Sequence, residues 1–191
     1  MSVTSFIFLA IVAGLLLYVV MIYNNLVRLK HNVSRAWSNI DVLLKQRHDE
    51  LPKLIETCKQ YMKHEREVLE NVTRARAAVA QAREAGDVGA VGAAETQMRI
   101  GLGNLFAVAE NYPDLKANEN FSFLQTRISQ LESQISDRRE FYNDSVNINN
   151  IRIEQFPDNI IAGIFRFGER ELLKFDESEI KDVDVAKLFS G

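Results

Sequence analysis

No charged side chain occurs in the first 27 residues of this 191-residue chain; the first is Arg28. Nearly all of that stretch is apolar, and the run from Phe6 to Ile22 (FIFLAIVAGLLLYVVMI) holds nothing more polar than Tyr18 and Gly14. Cysteine is almost missing too. Cys58 stands alone, which excludes an intrachain disulfide and agrees with a reducing cytoplasm. Three prolines and nine glycines, against many Ala, Leu, Glu, Gln, Lys and Arg, favour helices. There is no internal repeat and no β-rich segment longer than a few residues. A basic stripe is also lacking, so with a net charge of −3 nucleic acid is not an expected partner.

The uncharged run reads as a transmembrane anchor, residues 1–23 with the span at about 6–22. Seventeen helical residues cover about 26 Å of a ~30 Å hydrocarbon core, and the flanks make up the rest. Twelve of the seventeen are Leu, Ile, Phe or Val, which together favour insertion by about 4–7 kcal/mol. A cleaved signal peptide would carry a basic residue before the run and an A-x-A site after it, and neither is present. Arg28, Lys30 and Arg35 follow the span, with no acid before Asp41. The positive-inside rule then places the N-terminus outside and residues 24–191 in the cytoplasm. The same three cations either only set this topology or also touch anionic lipid.

From Leu26 to about Ala82, apolar or small residues recur at three–four spacing, the mark of coiled-coil or bundle packing. Pro52 interrupts the stripe without shifting its phase. A kinked helix is therefore preferred to a reversal, with an ascending arm at about 24–50 and a second arm at about 52–84. Glu84 to Gly92 reads as a glycine-rich connection. A third helix follows from about Ala90 to Tyr112, in which Gly101 and Gly103 could permit close packing. Tyr112-Pro113-Asp114 opens a turn, with Asn118 or Asn120 as N-cap and Ser122 with Gln125 as a capping box. A fourth helix runs to about Glu154. The expected fold is all-α: one N-terminal transmembrane helix, then a long-armed antiparallel three- or four-helix bundle (24–156), a short apolar helix (157–167) and an acidic tail (168–191). In that tail, Glu169 to Asp184 hold seven acids and three bases.

Catalytic patterns are largely missing. His64-Glu65 begins like H-E-x-x-H, but Val68 stands where the second histidine belongs. His31, His48 and His64 lack metal-ligand spacing, and no phosphate-binding glycine loop or G-x-S-x-G elbow occurs. Cys58 falls on the apolar stripe as a packed thiol. No catalytic residue, cofactor or metal is expected. The densest polar cluster is Lys45 to Glu50, and Arg47 falls at a seam position between Leu43/Leu44 and Leu51. It reads either as a solvated elbow of i,i+4 pairs or as a buried Arg–carboxylate pair, with Asp41, Asp49, Glu50 and Glu65 as candidate partners. Trp37 lies about 22 Å beyond Ile22 by helical rise, too far for an interfacial belt, so it anchors a core or a subunit contact. Ile160, Ile161, Ile164 and Phe165 make the short helix apolar. It could pack on the bundle, dock on a neighbouring subunit or touch the bilayer.

Three stretches carry a resemblance. The first runs from Tyr23-Asn24 through Ala36-Trp37-Ser38-Asn39-Ile40-Asp41 to Arg47-His48-Asp49-Glu50-Leu51-Pro52-Lys53-Leu54-Ile55-Glu56, followed by Tyr61-Met62 and His64-Glu65. The second is Tyr112-Pro113-Asp114-Leu115-Lys116-Ala117-Asn118-Glu119-Asn120-Phe121. The third is Tyr142-Asn143 with Phe156-Pro157-Asp158-Asn159-Ile160-Ile161-Ala162. In order and spacing they resemble the LemA family over about residues 1–167. The resemblance implies an N-out, C-in bacterial membrane protein with a cytoplasmic helical bundle, and no settled biochemical activity. It also brings two hints: a LemA-like protein associated with shaping organelle membranes, and genes lying beside one for a membrane zinc protease.

The preferred function is a non-enzymatic scaffold that self-assembles on the cytoplasmic face, as a homo-oligomer that could be ring-like, and organises the bilayer. The stripe would span roughly 87 Å, against about 35 Å and 52 Å for the third and fourth helices, so part of it should stay uncovered and seek a partner. The alternative is an adaptor or regulatory partner of a membrane protease or envelope-stress complex. With no glycine or proline between Ile22 and Ala36, the join of span and rod should be stiff. A Gly-Ser linker after Tyr23 would then abolish function if rigidity matters and leave it intact if the span is merely a tether.

Overall fold

The computed structural model of the protein describes residues 3–175, so residues 176–191 of the expected acidic tail lie outside the described residues. Among the described residues there are six helices and no strand: α1 (Val3–Tyr61), α2 (Arg66–Ala85), α3 (Val88–Ala109), α4 (Pro113–Lys116), α5 (Glu119–Glu154) and α6 (Asp158–Phe165). The chain forms an all-α bundle. The described residues divide into two compact units, one of residues 3–42 with 135–172 and the other of residues 43–134 with 173–175.

In the first unit α1 begins with an apolar segment whose side chains are almost all exposed, and this is the one described helix long and apolar enough to cross a membrane. Burial starts at Ile22 and recurs at Leu26, Val33, Ala36 and Ile40, following the sequence stripe. The helix is unbroken between Ile22 and Ala36. Tyr142, Val146 and Ile153 supply buried apolar side chains from α5, and Trp37 sets its ring 5.5 Å from that of Tyr142. The Tyr142 hydroxyl donates to the Glu171 carbonyl at 2.9 Å, and Asn150 exchanges two hydrogen bonds with the Arg170 backbone, both at 2.9 Å. Residues 168–172, expected within a solvated tail, are therefore tied down by α5.

The second unit gathers residues 43–61 of α1, α2, α3 and residues 119–134 of α5. Helix α1 continues through Pro52. Proline has no N–H, so the carbonyl of His48 loses its usual i+4 donor. Arg76 of α2 replaces it: Nε donates to the His48 carbonyl at 3.0 Å while a terminal nitrogen lies 2.8 Å from the His48 ring Nε2. The second arm is not one helix over 52–84. α1 ends at Tyr61, and the chain turns through Met62 to Glu65 before α2 begins.

The expected glycine-rich loop is nearly all helix. Gly86 alone takes a left-handed conformation, φ 69°, and closes α2 with Asp87 N–H bonding Ala82 O at 3.2 Å. Asp87 then caps α3 by accepting from Ala90 N at 2.8 Å, so two residues join the helices. Gly92 lies inside α3, where a Cβ would stand 2.1 Å from the Lys174 carbonyl oxygen. The missing side chain leaves room for residues 173–175, whose Leu173 and Phe175 are buried. Gly101 faces Val72 of α2 at contact distance, whereas Gly103 meets nothing within 4 Å. Asn118 is the N-cap of α5: its side-chain oxygen accepts from Phe121 N at 3.1 Å and its amide donates to the Tyr61 hydroxyl at 3.1 Å. Ser122 instead donates to the Lys116 carbonyl at 3.3 Å.

Candidate functional site

At the end of the exposed apolar segment, α1 meets α6. Pro157 halts α5, and Asp158 starts α6 with an acid in the first turn, where the helix dipole favours one. Asp158 is buried and its carboxylate lies 3.1 Å from Arg152 Nε of α5, which fixes where α6 begins. Ile161 and Ala162 then pack into a small core with Ile22 and Leu26 of α1 and Ile153 of α5, with Phe167 against it. Phe165 and Phe167 set their rings edge-on to Tyr23 at 4.7 and 5.8 Å. Offset aromatic pairs of this kind contribute ~0.5–1.5 kcal/mol beyond their buried area. The join at Ile22–Leu26 is thus clasped from two sides by one short helix and the residues after it.

The four apolar α6 candidates divide. Ile161 is core, while Ile160, Ile164 and Phe165 are exposed, as is Phe156 just before the helix at 80%. An eight-residue helix with Ile160 and Ile164 facing out and Phe165 half exposed beside Tyr23, docked at the foot of an apolar helix, presents a surface suited to an apolar medium.

Arg47 belongs to the second unit. It is 1% exposed and pairs with Glu95 of α3, equally buried, and with Glu132 of α5. The solvated elbow does not form. Of the candidate partners, Asp49 is exposed and Glu50 pairs with Lys53 at 2.9 Å, because on one helix neither can reach the seam that Arg47 enters. Glu65 accepts from the Tyr112 hydroxyl at 3.2 Å instead. Burial alone would lower the Arg47 pKa, but the two carboxylates outweigh it and hold it above its ordinary value. Burial pushes the Glu95 carboxyl above the usual range, with Arg47 opposing and Glu132 reinforcing. One cation shared by two carboxylates locks three helical segments in register. Cys58 is fully buried, and desolvation pushes its thiol up to about 12, which suits a packing residue. Among the described residues no group of three or more His, Cys, Asp or Glu could hold a metal ion.

An all-α bundle with an exposed apolar N-terminal helix, clasped where that helix enters the fold, defines a membrane-associated helical protein. Residues 36–186 match the LemA family, and the chain belongs to it. Magnetosome protein MamQ 2 of Paramagnetospirillum magneticum is 24% identical over 188 residues, covering 85% of this chain and 68% of its own length. Protein LemA of Metamycoplasma hominis is 28% identical over 167 residues, covering 86% and 74%. Magnetosome protein MamQ of Magnetospirillum gryphiswaldense is 22% identical over 188 residues, with the same coverage as the first. None of these names states a reaction.

Proposed function

We propose that the chain is a non-enzymatic scaffold, anchored in the bacterial inner membrane by residues 6–22 with its N-terminus outside, whose copies assemble on the cytoplasmic face and organise the bilayer. The observation that carries this reading is the clasped join. α1 runs without a break from the apolar segment into the buried stripe, and α6 braces that point. A tether needs no such brace, whereas a part that transmits its angle to a membrane does. Arg28, Lys30 and Arg35 just past the join supply the orientation signal. The magnetosome relatives agree with a role at a bacterial organelle.

Self-assembly would use a different helix from the one the sequence suggests. The α1 stripe is covered within the chain, with Leu26 to Met62 buried at almost every stripe position. Among the described residues, Val42 of α1 is exposed, but the larger exposed apolar group outside the anchor includes Phe141, Ile148 and Ile151, which share one face of α5. That face is where a second copy would pack. Full-length protein extracted in mild detergent should run as a discrete homo-oligomer, and Phe141→Ser with Ile148→Ser should reduce it to monomer with the helicity unchanged. A monomeric wild type would remove the scaffold.

An adaptor reading has one supporting observation: a groove of about 780 Å³ along the end of α1 and the start of α2, with Met62 and Leu69 on its floor and Lys59, Lys63, Arg66 and Arg74 among its lining. It predicts a second protein of fixed stoichiometry in the same extraction.

A further inference from the structure

Beside the clasped join the first unit contains a second feature, a recess of about 350 Å³ whose lining includes Tyr23, Lys30, His31, Asn149, Arg166 and Arg170. Three permanent cations line it and no carboxylate does; Glu169 and Glu171, the chain neighbours of Arg170, are not part of the lining. Arg166 is the one described non-glycine residue with positive φ, 57°, at the C-terminal cap of α6. Asn149 is 3% exposed and places a side-chain amide in the wall, held to the Asn150 oxygen at 3.1 Å. The segment bearing Arg170 is fixed by the two backbone bonds to Asn150. These parts come from α1, α5, the end of α6 and the segment after it, so the recess is built by the fold and is not a run of surface lysines.

We propose that this recess binds a phosphoryl group. Three cations with a side-chain amide and a tyrosine hydroxyl among them match a phosphate monoanion or dianion, and a positive recess walled by protein concentrates such anions. Its α1 lining runs from Tyr23, next to Ile22, to His31, so its Tyr23 end lies beside the headgroups and the source is an anionic phospholipid held against Tyr23. The lipid source rests on residues 6–22 spanning the membrane; the phosphoryl chemistry does not. The protein would thereby grip the leaflet by one specific lipid per copy as well as by its anchor.

The test uses full-length protein in nanodiscs of phosphatidylcholine with and without phosphatidylglycerol, and native mass spectrometry to count phosphatidylglycerol retained per copy. The variant Lys30→Gln/Arg166→Gly/Arg170→Gln removes the three cations, and glycine at 166 keeps the left-handed backbone. Arg28→Gln/Arg35→Gln removes two exposed cations outside the recess as a control. Circular dichroism and melting check each fold, and Arg166→Gly alone serves if the triple variant does not fold. The expected result is retention by the wild type and the control, with at least about tenfold loss in the triple variant. Inorganic phosphate titrated into detergent-solubilised protein, read from the His31 ring by NMR, separates the sources. Binding there without retained phosphatidylglycerol would support the site and overturn the lipid source. Equal behaviour of wild type and triple variant in both assays, or equal loss per charge in the control, would overturn the site itself.

Discussion

Arg47 illustrates how a single side chain can hold a bundle in one register. Removing it leaves Glu95 buried without its paired cation, and Arg47→Ala should cost about 3–5 kcal/mol in denaturant unfolding. The Glu95 carboxyl has a raised pKa in the fold, so the unfolded chain binds fewer protons above pH 4.5. Stability should therefore decline as pH rises through the window between 4.5 and the raised value, and Glu95→Gln should abolish that decline. His48 works in the opposite direction. Burial, then Arg76, lower its pKa, so its contribution is present above 6.5 and is lost as pH falls below it. Arg76 also serves the carbonyl that Pro52 leaves without a donor. Arg76→Ala should cost ~1.5–3 kcal/mol in the wild type and clearly less with Pro52→Ala, where the restored backbone N–H bonds the carbonyl again. Additive costs in that double-mutant cycle would refute the link. The seam position of Arg47 was readable from the stripe. Its partners were not, since they lie 48 and 85 residues away on helices whose faces meet only in the folded chain.

At the scale of elements, the helices and the buried phase of α1 could be read from three–four spacing, because burial on one face imposes that period directly. The reversal at Met62–Glu65 could not be, because no glycine or proline marks it. Tertiary contacts hold it, Tyr61 to Asn118 and Tyr112 to Glu65. Gly92 misled in the other direction. Glycine reads as a loop residue, yet here it sits within α3 beneath the Lys174 carbonyl. Gly92→Ala should displace residues 173–175 and expose Leu173 and Phe175. Hydrogen exchange there should rise while α2 and α3 stay protected, and stability should drop by a few kcal/mol, at ~1.5–3 kcal/mol per side chain. Unchanged protection would mean the segment is not held by that contact. α6 was legible as a short apolar helix. That it splits its apolar residues between a clasp and an exposed face depends on the Arg152–Asp158 ion pair, which spacing alone does not reveal.

For the whole molecule, the central claim is that the anchor and the first unit move as one body. The clasp begins at Ile22 and includes Tyr23, so a linker after Tyr23 would cut through the clasp and confound rigidity with stability. The informative cut lies one step earlier. A short Gly-Ser insertion between Met21 and Ile22 leaves the core of Ile22, Leu26, Ile153 and Ile161 intact and frees only the anchor. Nineteen residues, Val3 to Met21, remain long and apolar enough to cross a bilayer, at about 28 Å of helix. The decisive measurement is electron cryomicroscopy of liposomes carrying the full-length protein at matched density, with and without the insertion. The scaffold account predicts ordered, membrane-deforming assemblies for the wild type and smooth vesicles for the insertion, with the oligomer in detergent unchanged. Identical membranes in both would contradict it and leave the apolar helix as a tether.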